Sequence, residues 1–359
     1  MRLVNQTAVP ATLTTSDFEG SSRRIGLLTA KATFRFDSRG QVELETQEPF
    51  ALLARDEETP LGDLPADLQP RTDASLEVIL LGHAYAPRQR PVSALAVALT
   101  VGKVRREILV FGDRSWAPGR RAASQPRSFT KMPLAYSRAF GGTVPVSLDR
   151  ESVFDLSDTC NRHGVGFDAE GMARALGVLL KAPSGYPRLP AGYTRPLPNL
   201  EDPRAPIARW EDAPLPLCWA TIPIDVPIWA ARQAIENPQP PPRPALAEIE
   251  RKLPSVVNYR AHPDWVIPLP PTAPRLRLEN LIPATPVLEI SVPEFGVVAD
   301  YTVDGRVSRR RLMPHTLVLL PDRARFYVVY RLPFNFQFHP GDEREFRLRT
   351  EPKWFSGAA

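Results

Sequence analysis

The chain is 359 residues long, enough to bury a sizeable core in one large or two ordinary domains. With 43% hydrophobic and 24% charged residues it is globular and not disordered, and its net charge of +5 is spread out, with no basic run interleaved with aromatics to suggest nucleic acid. Cys160 and Cys218 are too few for a secreted disulfide framework, though one pairing stays open, and neither a signal-peptide core nor a transmembrane-length apolar run occurs, so a soluble cytoplasmic protein is expected.

In chain order, "RIGLLTAKATFRFD" places Leu28, Ala30, Ala32, Phe34 and Phe36 on one side and Thr29, Lys31, Thr33 and Arg35 on the other. That period of two predicts a strand with one wet face. "DSRGQVEL" predicts a turn into a partner strand around Val42 to Leu44, and the acidic, proline-bearing residues 51–73 suit a surface excursion. "LEVILLGHAYAP" is apolar on both faces and predicts a central strand. "ALAVALTVGKVRREILVFGDRSW" predicts a hairpin joined at Gly102-Lys103.

From 183 to 274 the texture changes, because this segment holds 22 of the 41 prolines. Proline lacks an N–H and fixes φ, so extended coil is favoured over sheet interior. The same segment carries Trp210, Trp219, Trp229 and Trp265, which predicts coil packed onto a core. Two short helices are expected: "FDAEGMARALGVLLK", with Met172, Leu176 and Leu179/Leu180 at helical spacing, and "RPALAEIERKL". After residue 275 strand-like stretches return, with Asp304-Gly305 as a two-residue hairpin signal. The expected class is mainly β: antiparallel sandwich or barrel-like sheets in regions 1–145 and 275–350. Between them residues 146–274 form a proline-rich, tryptophan-containing segment with one or two short helices. A single composite domain is the alternative.

Chemistry offers little purchase. His83 lies in an apolar strand and reads as a sheet histidine with its polar atoms satisfied. Cys160 and His163 have C-x-x-H spacing, but a zinc site needs a second ligand pair and Cys218 stands alone. No phosphate-cradling loop, G-x-S-x-G or H-E-x-x-H occurs, so no catalytic residue, metal or cofactor is expected. The competing enzymatic reading is a hydrolase or carbohydrate-active β-sandwich with a site around Cys160, His163, Asp155 and Asp158. Two loop-like stretches remain, "VFGDRSWAPG" (110–119) and "SRAFGGTVP" (137–145). They read either as turns closing strands or as exposed arginine–aromatic pairs of the kind enriched at binding hot spots.

Several stretches, in order, resemble the bacterial domain-of-unknown-function family 2169. They are "LVNQTAVPATL", "LLTAKATFRFDSRGQVEL", "ILLGHAYAP", "VGKVRREILVFGDRSW", "MPLAYSRAFGGT", "NRHGVGF" and "LPNLEDP", with weaker matches at "RLRLENLIP", "VLEISVPEF" and "HTLVLLPDRARFYVVYRLPF". The paired "FGDRSW" and "RAFGGT" are the specific part. The chain departs from the family's pattern at Met313-Pro314-His315-Thr316 and in the divergent middle, 205–270. Members are usually encoded beside type VI secretion effectors and spike components. The resemblance therefore implies a non-enzymatic adaptor or chaperone that loads an effector onto the valine-glycine-repeat spike or its PAAR-type tip. A structural spike-associated component that leaves with the effector is a further alternative. The expected contact residues are Arg114, Trp116, Arg138, Phe140, Trp210, Trp219 and Trp229. Nucleic acid, membrane and a small-molecule substrate are not expected partners.

Overall fold

The computed structural model describes residues 1–17, 23–117, 122–224, 259–283, 285–303, 306–337 and 344–354. β1 (Arg2–Asn5) leads to β2 (Ala11–Asp17), the long β3 (Arg23–Phe36) and β4 (Val42–Leu44). β5 (Ser75–Leu80) and β6 (His83–Tyr85) come next. β7 (Ala94–Val101) and β8 (Val104–Phe111) form the hairpin expected at Gly102-Lys103, with Val101 opposite Val104. Short strands follow: β9 (Arg114–Ser115), β10 (Lys131–Pro133), β11 (Phe140–Gly141), β12 (Thr143–Ser147), β13 (Val153–Ser157) and β14 (Val165–Gly166).

The helix α1 (Ala169–Leu180) starts where the Asp168 carboxylate accepts the Gly171 N–H at 3.0 Å, and it stops at Lys181 in the left-handed region. The proline-rich segment contributes β15 (Pro196–Leu197), β16 (Leu200–Glu201) and β17 (Val266–Pro268). Then come β18 (Arg275–Ile282), β19 (Thr285–Ser291), β20 (Gly296–Val303) and β21 (Arg306–Arg311). β22 (Met313–Leu320), β23 (Arg325–Gln337) and β24 (Glu345–Glu351) follow. β20 and β21 pair antiparallel with Val303 opposite Arg306, as a hairpin there requires. Its turn residues, Asp304 and Gly305, lie outside the described residues, as does the expected helix over 243–253.

The protein is mainly β, and its larger sheets are open-edged layers and not a closed barrel. The seven-stranded sheet runs β17-β5-β22-β23-β3-β2 with β4 on β3; a five-stranded sheet runs β16-β8-β7-β18-β19; a four-stranded sheet runs β1-β24-β20-β21. Strands from the two ends of the chain interleave: Ala30 pairs with Tyr330, and Leu99 with Leu278. Most neighbours are antiparallel, but β5 with β22 and β1 with β24 are parallel, which is open to partners far apart in sequence that no tight turn joins. Ala30, Ala32, Phe34, Val328 and Tyr330 of the large sheet share one continuous core with Leu99 and Leu278 of the second and Ala299 and Leu348 of the third. Cys160 and Cys218 are free thiols.

In its described part the proline-rich coil packs onto the core at two of the expected tryptophans. Trp219 and Trp265 are fully buried and meet edge to face at 5.8 Å, and the Leu80 N–H donates to the Trp219 carbonyl.

One expectation is overturned. Most of the polar side of β3 is not wet: Thr29, Lys31 and Thr33 are buried, and of the four expected polar residues only Arg35, near the strand's end, is exposed. Residues 51–73 are accordingly no loose excursion, since they cover that side and bury Leu64, Asp67 and Arg71 against it. A lysine in an alternating strand normally signals water, but here Asp67 answers it. The Lys31 Nζ lies 2.6 Å from an Asp67 carboxylate oxygen, both side chains are 1% exposed, and Nζ also donates to the Ala51 carbonyl at 2.9 Å. Burial pushes the Lys31 ammonium down and the Asp67 carboxyl up.

Further along the sheet, Arg331 donates to the Asp67 carbonyl at 2.7 Å and to the Thr316 hydroxyl at 2.9 Å. Arg71 donates to Glu77 at 3.0 Å and to Asp73 at 2.8 Å. Glu77 also accepts the Ala261 N–H at 2.7 Å, which pins the far end of the proline-rich segment. Lys31, Arg331 and Arg71 thus face Asp67, Glu77 and Asp73, three cations against three carboxylates.

His315 adjoins this layer, fully buried, with its Nε2 3.1 Å from the Asp73 carbonyl. Burial, reinforced by Arg331 and Arg71, pushes it down to about 3. The unfolded chain takes up this proton below its ordinary value of about 6.5, whereas the folded chain does not until about pH 3. The unfolded state therefore holds more protons in between, and stability should fall as pH falls through that window, by at most about 1.4 kcal/mol per pH unit. Urea midpoints measured from pH 7 to pH 4 should show the slope, and it should flatten in His315→Gln; an unchanged slope would disprove the assignment.

Candidate protein-docking surface

The two loop stretches singled out in the sequence meet in space. Arg114 stacks on the Phe111 ring at 3.8 Å and pairs with the buried Glu201 carboxylate of "LPNLEDP", which also accepts the Ile207 N–H at 3.2 Å. Burial pushes the Arg114 guanidinium down and the Glu201 carboxyl up. Asp113 accepts from Arg138 at 3.3 Å and from the Asn199 amide at 3.1 Å, and that amide also reaches the Phe111 carbonyl. β9 pairs with β15 and β16 with β8, so "FGDRSW" and "LPNLEDP" are ladder partners.

"RAFGGT" and "NRHGVGF" are joined the same way, β11 to β14. The buried Asn161 amide donates to the Tyr136 and Phe140 carbonyls at 2.9 and 3.0 Å. Two glycines are required by close backbone approach. A Cβ on Gly112 would sit 1.7 Å from the Arg127 carbonyl oxygen, and one on Gly141, at φ +136°, would sit 2.1 Å from that of Asn161.

Of the expected contact residues, Trp116, Phe140 and Trp219 are buried, and Trp116 packs on Trp210 at 5.6 Å. Arg114 is nearly buried; Arg138 and Trp210 retain partial access to solvent; Trp229 lies outside the described residues. The structure thus brings Arg114, Arg138, Trp116 and Trp210 into one packed junction, while Trp219 belongs to the main core. Sequence reasoning missed Glu201, Asn199 and Asn161 as their partners. For Asn199 and Glu201 the signal was a polar residue inside a proline-punctuated stretch, whereas Asn161 sits among polar neighbours that give no such signal.

Around Cys160 the geometry is that of a turn. One Asp158 carboxylate oxygen accepts the N–H groups of Cys160 and Asn161, each at 2.8 Å. Burial, aided by Asp158, pushes the Cys160 thiol up, away from the thiolate a nucleophile needs. Asp155 points to solvent from β13. Among the described residues no three His, Cys, Asp or Glu side chains are grouped to hold a metal ion. His83, as its strand setting suggested, has its Nδ1 2.6 Å from Asp322, which also accepts the Tyr85 hydroxyl at 2.9 Å.

The feature without an internal partner is apolar. A small second core gathers Phe140, Val146, Leu156, Phe167, Ala169 and Ala173 beneath α1. At about 100° per residue, Ala169, Ala173 and Leu176 face this core, while Met172, Ala175, Val178 and Leu179 fall on another side of the helix. That side is in water: Val178 is 78% and Leu179 77% exposed, and Met172 and Ala175 are exposed too. Leu180 and, on the adjoining β13, Val153 and Phe154 are also exposed. Phe154 stands opposite Val146 on the core-facing side of its hairpin, so this core opens onto the surface. The sequence signal was a twelve-residue helix with only two charges, Glu170 and Arg174, too few for a polar face all round.

Together these features define a layered, mainly β protein whose buried lysine and arginines described above are tied into structural contacts and which holds one apolar helix face in water. The chain belongs to the family described as "Uncharacterized protein conserved in bacteria (DUF2169)", which matches residues 21–331. No curated protein and no solved structure matches it. Among the described residues no helix is long and apolar enough to cross a membrane.

Proposed function

We propose that this protein is a non-enzymatic cytoplasmic adaptor or chaperone. It binds a type VI secretion effector and helps load it onto the spike, through the valine-glycine-repeat protein or a PAAR-type tip. The observation that carries the protein-binding part of this reading is the exposed stripe of α1. Large apolar side chains in water beside a half-open core favour a partner that removes them from solvent, as an amphipathic element laid along the helix would do. The effector is the occupant that the resemblance supplies. The buried charge pairs support the non-enzymatic part, since Arg114, Glu201, Lys31 and Asp67 already have structural partners. No cofactor or small-molecule substrate enters the proposal.

Co-expression with the effector encoded beside it tests the reading. The two proteins should co-purify, and deleting the adaptor should leave the effector insoluble or unsecreted. An effector that stays soluble and is secreted normally in its absence would sink the idea.

A further inference from the structure

We propose that the four-stranded sheet offers a second docking surface, where the open edge of β21 accepts an extended acidic segment of a partner protein as an added strand. Two independent observations meet there. The first is backbone geometry. β21 is the last strand of the sheet among the described residues. The Leu312 N–H donates to the Val297 carbonyl at 2.9 Å, and the register pairs Val298 with Arg311 and Asp300 with Arg309. In an antiparallel ladder hydrogen-bonded and non-bonded pairs alternate. Because 312 and 297 are a bonded pair, Arg309 and Arg311 are in non-bonded pairs, and their own N–H and C=O groups point to the open edge.

The second observation is charge. Arg309 and Arg311 share the sheet's outer face with Arg347 and Arg349 of β24, because Phe346 and Leu348 alternate inward. Arg309 reaches Asp300 at 2.7 Å, and Arg349 contacts the same carboxylate; Arg347 and Arg2 likewise share Glu345. Arg311 pairs with Glu351. With Arg2 the face holds, among the described residues, five guanidiniums against three carboxylates, and Arg309, Arg347 and Arg349 are each at least half exposed.

The positions whose backbone would bond an incoming strand are thus the ones that bring arginines beside it. A strand bearing Asp or Glu at every second residue would lay those carboxylates along the arginine face while its main chain extends the sheet. Arginines on an edge also discourage pairing with neutral or basic strands, which makes the edge selective. A protein strand is favoured over single-stranded nucleic acid because the face carries Val4, Val298 and charged side chains and, among the described residues, no aromatic platform for bases. This inference does not depend on the type VI reading.

Fluorescence anisotropy with a labelled peptide of alternating valine and glutamate tests it on the full chain. Controls are the valine–lysine peptide, a copy with alternate backbone nitrogens methylated, and a labelled single-stranded oligodeoxynucleotide. The acidic peptide should bind, the lysine peptide should not, and methylation should abolish binding. Arg309→Glu with Arg349→Glu should weaken it at least about tenfold. The milder Arg309→Gln with Arg349→Gln should weaken it less, with both variants melting as the wild type does. Failure of the acidic peptide to bind, equal binding of the methylated copy, or tighter binding of the oligonucleotide would overturn the proposal.

Discussion

Asp67→Ala is expected to cost about 3–5 kcal/mol of stability, because it strands the Lys31 ammonium in a dry layer. Among the described residues no other carboxylate contacts the ammonium: Lys31 would keep the Ala51 carbonyl and the Tyr327 ring, whose centroid is 4.4 Å from Nζ. Against a typical total of about 5–15 kcal/mol this is a large fraction. The loss also spreads, since the same carboxylate accepts the Leu53 N–H at 2.7 Å and so anchors the covering segment to the sheet. Urea unfolding should show a lower midpoint. Lys31→Met combined with Asp67→Leu should recover much of the loss, because an apolar pair of similar volume leaves no charge unanswered. A cost below about 1 kcal/mol for Asp67→Ala would mean that water reaches the pair and the layer is not dry.

The second large effect is functional. Val178→Glu with Leu179→Glu is expected to weaken capture of the effector by at least about 30-fold, the scale of losing a binding hot spot of about 2 kcal/mol. Both side chains already stand in water, so thermal stability should move by no more than about 0.5 kcal/mol per site. That contrast separates docking from folding. Phe140→Ala, which opens the small core beneath the helix, should by comparison lower the melting temperature. Undiminished effector capture by the Val178→Glu, Leu179→Glu variant would remove α1 as the docking face while leaving the adaptor reading to its own test.

The sequence by itself determined the local elements. Alternation marked β3, Gly102-Lys103 marked the β7–β8 turn, and helical spacing after Asp168 marked α1, because φ/ψ preference and side-chain period are properties of short stretches. It also marked residues 183–274 as coil with anchoring tryptophans. What it could not supply was what stands opposite each face. Lys31, Thr29 and Thr33 look like a wet surface until residues 51–73 fold over them, and that contact joins positions 36 residues apart, from Lys31 to Asp67. Arg114 looks like an exposed hot-spot residue until Glu201 meets it across 87 residues.

The reverse holds for α1. Met172, Leu176 and Leu179 share one helical spacing, yet tertiary packing covers one side of the helix and leaves Met172 and Leu179 in water. Period fixes which side chains share a face, because it follows from covalent geometry. Burial and charge pairing depend on long-range contacts, and only the assembled sheets decide them.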